Sequence, residues 1–141
     1  MPDPTRPSHG LLLCATSYPA EAVMLRDALE AAEWSVAVVD DAVTAMRELC
    51  REPGEPERFA AVVIGERVGR ATGLSLCGLI RDSGSALPIL LLTTQESKVI
   101  AGRAARLRLS VLWQPVSPER LQETVRGLMP RPLCLVSGEG G

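Results

Sequence analysis

Phe59-Ala60-Ala61-Val62-Val63-Ile64-Gly65 is the stretch that decides how this chain folds. Its apolar run is unbroken, and Val62, Val63 and Ile64 are β-branched. A short run of this kind suits a parallel strand whose two faces are both covered by helices. Pro53-Gly54-Glu55-Pro56 breaks the chain upstream, and Gly65 ends the run. Open α/β sheets gather their chemistry at the carboxyl ends of such strands. At that end Gly65 offers no side chain to act as nucleophile, acid or ligand.

The flanking sequence repeats the pattern. Leu11 to Ala15 reads as a buried strand, and Pro19 suits the first turn of a helix. Ala22, Leu25, Ala28, Leu29 and Ala32 give that helix an apolar stripe, with Glu21, Arg26, Glu30 and Glu33 on its other faces. Trp34 to Val39 is a second strand. Asp40 or Asp41 caps a helix whose stripe is Ala42, Ala45, Met46, Leu49 and Cys50. Beyond the Phe59–Ile64 strand, residues 69–72 form a loop and Leu74 to Arg81 a helix. Leu87 to Leu92 is the fourth strand. A helix spans about Ser97 to Leu107 despite Gly102, and Ser110 to Trp113 is a short fifth strand. Pro118 opens a last helix, with Leu121, Val125 and Leu128 inward, and Pro130 stops it. Strands alternating with helices in this way predict a doubly wound, three-layer α/β/α domain on a five-stranded parallel sheet. The domain spans residues 11–129, between a Pro-rich arm (1–10) that holds His9, read as solvated, and a flexible tail (130–141).

A chain of 141 residues, 46% apolar and 23% charged, is a single globular domain by composition. Aromatics make up only 3%, so the core must rely on Ala, Val, Leu and Ile. A formal charge of −2 and the absence of a basic cluster argue against nucleic acid as a partner. No segment approaches the roughly 20 apolar residues of a membrane span, so the expectation is a soluble cytoplasmic protein. Cys14, Cys50, Cys77 and Cys134 lack metal-ligand spacing and read as buried free thiols.

Several segments together resemble the receiver domain of bacterial two-component response regulators, the CheY-like branch of the flavodoxin-like folds. Residues 59–73 match its third strand, loop and Gly-Leu helix start, with Gly73 eight positions past Gly65. Pro88-Ile89-Leu90-Leu91-Leu92-Thr93-Thr94 is similar to its fourth strand. Gln114-Pro115-Val116-Ser117-Pro118-Glu119-Arg120-Leu121 is similar to its Lys-Pro motif and last helix. The resemblance covers roughly Leu11 to Met129.

The resemblance implies a site for aspartyl phosphorylation, and most of that site is missing. The acidic pair that holds Mg²⁺ in the family becomes Thr16 and Ser17. The phospho-accepting Asp becomes Gly65, and the charge-balancing Lys becomes Gln114. The hydroxyl that follows the phosphate is kept as Thr93. The switch aromatic becomes Val111, although Trp113 lies one residue before Gln114. Phosphoryl transfer needs an in-line nucleophile and cationic charge, and Mg²⁺ needs carboxylate oxygens. Glycine, two hydroxyls and an amide supply neither. The expectation is a pseudo-receiver without metal or cofactor, not an enzyme, that acts by protein–protein contact. The alternative is a phosphorelay regulator that accepts phosphate at an unconventional residue such as Glu66, although strand alternation should turn Glu66 away from the neighbouring strands.

The same residues speak against other classes of function. Cys14 ends the first strand, where some related α/β enzymes place a phosphate-accepting cysteine. Such sites need glycines or a Cys-x5-Arg cradle, yet the sixth residue after Cys14 is Ala20 and no glycine lies between Cys14 and Ala32. No histidine follows the first strand to hold cobalamin, and no Gly-rich dinucleotide or P-loop motif follows any strand. By resemblance, the fourth helix, fifth strand and fifth helix form the face for a signalling partner or a second copy. Arg103, Arg106, Arg108, Val111, Trp113 and Arg120 would lie on it. Trp113 is either an anchor on that face or, the reading favoured by its short strand, filler beneath the last helix.

Overall fold

The structure is a computed structural model and describes residues 10–50, 52 and 54–129. The N-terminal arm with His9 and the tail with Cys134 lie outside those residues. Five parallel strands form the main sheet: β1 (Leu11–Ala15), β2 (Ser35–Val39), β3 (Ala61–Ile64), β6 (Ile89–Thr93) and β7 (Ser110–Trp113). Their order is β2-β1-β3-β6-β7, so β1 and β3 lie side by side at the point where the winding reverses. The register aligns Ala15 with Ile64 and Ile64 with Leu91, which brings the carboxyl ends of the three central strands to one rim.

Alternation along the strands divides the core between the two faces. Leu12, Cys14, Val63, Leu90 and Leu92 face α1 (Pro19–Ala31) and α5 (Pro118–Leu128). Leu13, Ala15, Val62, Ile64, Ile89 and Leu91 face the layer that holds α2 (Ala42–Leu49), α3 (Gly73–Asp82) and α4 (Lys98–Leu107). The opening run is thus buried on both sides, as its composition requires. Asp41, rather than Asp40, caps α2, its carboxylate accepting from the Thr44 amide at 2.7 Å.

Three expectations need correction. The loop at residues 69–72 belongs to a small antiparallel ribbon, β4 (Arg67–Val68) with β5 (Ala71–Thr72), turned at Gly69, whose φ of +67° suits a residue without Cβ. Cys50 is exposed rather than buried, because α2 ends at Leu49 and the chain turns extended there. Trp113 is 43% exposed: Leu112 faces the α1–α5 layer, so alternation sends Trp113 to the other side of an edge strand.

Candidate functional site at the sheet rim

Gly65 lies at the centre of the rim, directly after β3, and is buried. Its amide donates to the Ala15 carbonyl at 2.8 Å, which continues the β1–β3 ladder by one residue. Space above its Cα is already taken. A Cβ there would meet Glu21 Oε1 at 2.2 Å and Thr16 Oγ1 at 2.9 Å. On its other flank Gly73 packs against the Gly65 carbonyl, which a Cβ at residue 73 would meet at 1.9 Å. At residue 73 the obstacle is backbone and excludes a Cβ, whereas at residue 65 it is mainly the end of the Glu21 side chain.

Glu21 is the residue the sequence reading misplaced. It sits in the first turn of α1 and is only 9% exposed, not on a solvated face. Its carboxylate accepts from the Thr16 hydroxyl at 2.6 Å and from the Gln114 side-chain amide. The reason lies in helical spacing. Glu21 precedes Leu25 by four residues and Ala28 by seven, so it continues their buried stripe into the rim. A carboxylate buried this far is tolerable only when donors compensate for lost water, and two neutral side chains do so here. Thr16 and Gln114 stand where the resemblance puts a magnesium-binding acid and a lysine. Both are consumed in holding an acid of the protein itself.

Ser17, matched to the other metal-binding acid, is also engaged. Its hydroxyl donates to the Arg67 carbonyl at 3.1 Å and its backbone amide donates to the same oxygen at 2.9 Å. The β1–α1 loop is thereby tied to the β4–β5 ribbon. Among the described residues no group of three or more His, Cys, Asp or Glu side chains comes together as a metal-ion cluster.

Glu66 corrects a second expectation. Strand alternation should turn it away, but β3 has ended and the chain bends, so its side chain reaches across to the end of β6. Oε2 accepts from the Thr93 hydroxyl at 3.0 Å and from the Thr94 amide at 3.2 Å, and Oε1 accepts from the Thr94 hydroxyl at 2.9 Å. Thr93 is buried, as expected for the last residue of an inner strand. Glu66 and Thr93 also line a cleft of about 380 Å³ with Tyr18, Leu74 and Ile100.

Cys14 is fully buried on β1, and burial pushes its thiol up to about 12, with Arg26 and Glu21 acting in opposite directions. A thiol so held carries almost no thiolate at neutral pH. Of the proposed contact surface, Arg103, Arg106, Arg108 and Arg120 are exposed and Val111 is half-buried. Arg108 takes the left-handed conformation that ends α4, with φ of +58°. Val99 on α4 is 70% exposed. The Gln114–Pro115 peptide, at the place of the Lys-Pro motif, is cis.

No protein-family model matches the chain. Over 110 residues it is 32% identical to the response regulator MprA of Mycobacterium leprae (strain TN), covering 76% of this chain and 45% of that protein. The chain therefore spans less than half the length of that curated relative. Among solved structures, the chemotaxis protein CheY4 of Vibrio cholerae superimposes with a TM-score of 0.74 at 20% identity, covering 85% of this chain and 98% of that one. Full-length FixJ from B. japonicum gives a TM-score of 0.73 at 24% identity, over 86% of this chain and 58% of FixJ. The receiver domain of Francisella response regulator 1452 gives 0.73 at 18% identity, over 85% and 96%. At these identities the structural likeness speaks for the fold.

Proposed function

The chain is a receiver domain of the response-regulator type, and from that premise we propose that it is a phosphorylation-independent pseudo-receiver that signals by contact with another protein. The observation that carries this reading is Glu21. Its carboxylate fills the space above Gly65 and is bonded to Thr16 and Gln114, so the protein's own anion stands where an acceptor side chain would project. Phosphoryl transfer would need an incoming phosphate in that space, which the Glu21 carboxylate already fills, and the two negative charges repel. Glu66 is the remaining acid next to Gly65, and both its oxygens already accept hydrogen bonds. Cys14, whose thiol is buried and protonated, adds no nucleophile, so no catalytic step is assigned.

In this reading the working surface is the face of α4, β7 and α5, where Trp113, Val99, Arg106 and Arg120 are exposed, whereas the Arg103 guanidinium lies over Gly78 of α3. An exposed tryptophan is the residue type most enriched in interface hot spots. The partner is a signalling protein of a two-component system or a second copy of this chain, met in the cytoplasm. No helix among the described residues is long and apolar enough to cross a membrane.

Incubation with acetyl phosphate and millimolar Mg²⁺, followed by intact-mass measurement and thermal melting, tests the proposal. The expected result is an unchanged mass and an unchanged melting midpoint with Mg²⁺. A phosphate adduct mapped to Glu66 or any other acid would overturn it, as would a magnesium-dependent rise in the midpoint.

A further inference from the structure

Helix α4, which carries Lys98, Arg103 and Arg106, is lightly anchored along its length, with Ile100 and Leu107 only partly buried against the core. Among the residues of α4 only Ala104 is buried, whereas α1 and α3 each bury four residues. Its ends are held instead. At the C-terminal end the Arg81 guanidinium donates to the carbonyls of Leu107 at 2.7 Å and Arg108 at 3.2 Å. At the N-terminal end the chain leading into the helix is gripped by Glu66. The carboxylate takes the Thr93 hydroxyl, the Thr94 amide and the Thr94 hydroxyl. Thr93 Oγ1 in turn accepts from the Gln95 amide at 3.1 Å, which extends the grip to a third residue. Only Glu96 separates these residues from Ser97, whose hydroxyl accepts from the Ile100 amide at 3.0 Å and caps α4.

We propose that Glu66 is the positioning residue of the contact face: a resident anionic ligand of the Thr93–Thr94 corner that fixes where α4 begins, without any external signal. The proposal rests on the phosphate-independent reading above and adds to it the means by which the face is held. A carboxylate fits the role because it is acceptor-only and has lone pairs enough for all three donors at once. It is covalently delivered from the turn after β3, so its effective concentration at the corner is far above that of any free anion. With a weakly buried helix body, loss of the grip should loosen the loop and the first turn of α4 while leaving the sheet unchanged.

Hydrogen exchange of the full chain, read residue by residue, tests this in Glu66→Ala and Glu66→Gln. In Glu66→Ala the amides of residues 94–100 should exchange about tenfold faster, the effect of losing hydrogen bonds that together shift a local opening equilibrium by that factor. Amides of β1 and β3 should keep their rates. Glu66→Gln keeps one acceptor and should fall between wild type and Glu66→Ala. Unchanged exchange at residues 94–100 would overturn the proposal. Acceleration spread evenly over β1 and β3 would also overturn it, since Glu66 would then serve stability alone. A covalent phosphate on the protein, by contrast, would sink the phosphate-independent reading and leave the exchange result standing.

Discussion

At the scale of single residues, burial decides what each reactive group can do. Cys14 and Cys77 lie in the two halves of the core, and burial pushes both thiols up to about 12. Cys50 is exposed beyond the end of α2. Iodoacetamide at neutral pH should therefore label Cys50 in the folded protein and leave Cys14 and Cys77 untouched, as peptide mass mapping will read. Rapid labelling of Cys14 would contradict its place in the core and reopen an enzymatic role. The sign of the pH effect follows. The unfolded thiols ionise near 9 and the folded ones only near 12, so their contribution to stability is complete below 9 and declines as pH rises between those values. Sequence spacing placed Cys14 correctly because a strand residue between apolar neighbours has nowhere else to go. Glu21 was lost to the same reasoning. A carboxylate in a first helical turn ordinarily faces water, and its place four residues before Leu25 was the signal that it continues the buried stripe.

Among the elements, strands and helices with several periodic residues were legible within a residue or two of their ends. The β4–β5 ribbon was not, since two residues per strand carry no period and only Gly69 marks the turn. The tether at the end of α4 was equally invisible, because it joins residues far apart in sequence. Arg81 is the clearest case. Its guanidinium donates to four carbonyls, those of Ser85, Leu87, Leu107 and Arg108, and so binds the α3–β6 connection to the end of α4. Burial and the nearby Arg108 charge lower its proton affinity from the usual value. Arg81→Ala should cost about 2–3 kcal/mol in chemical denaturation, the range for hydrogen bonds made by a charged donor. Arg81→Lys should recover only part of this, since an ammonium cannot span the same fork of acceptors. A loss below a few tenths of a kcal/mol would show that solvent replaces these bonds without penalty.

Across the whole molecule, apolar patterning accounts for five parallel strands between helices, while the matching of Thr16, Gly65 and Gln114 to one rim came from the family resemblance. What escaped the patterning was exposure at the edge. Trp113 is on the outermost strand, where the rule that short strands are buried has no covering helix to enforce it. Trp113→Ala should change folding stability by less than about 0.5 kcal/mol, as for surface positions generally. The same variant should abolish capture of the partner in pull-downs from the native host. Unfolding of the variant would return Trp113 to the core, and a folded variant that still captures the partner would move the contact face elsewhere.

Gly65 and Glu21 also constrain how this chain can change. An aspartate introduced at 65 runs into the Glu21 carboxylate, and removal of Glu21 alone strands the Thr16 and Gln114 donors around an unfilled gap. The Glu21 side chain must swing aside before residue 65 can carry a side chain of its own. The rim therefore couples residue 65 to residue 21, and a change at either is felt by the other.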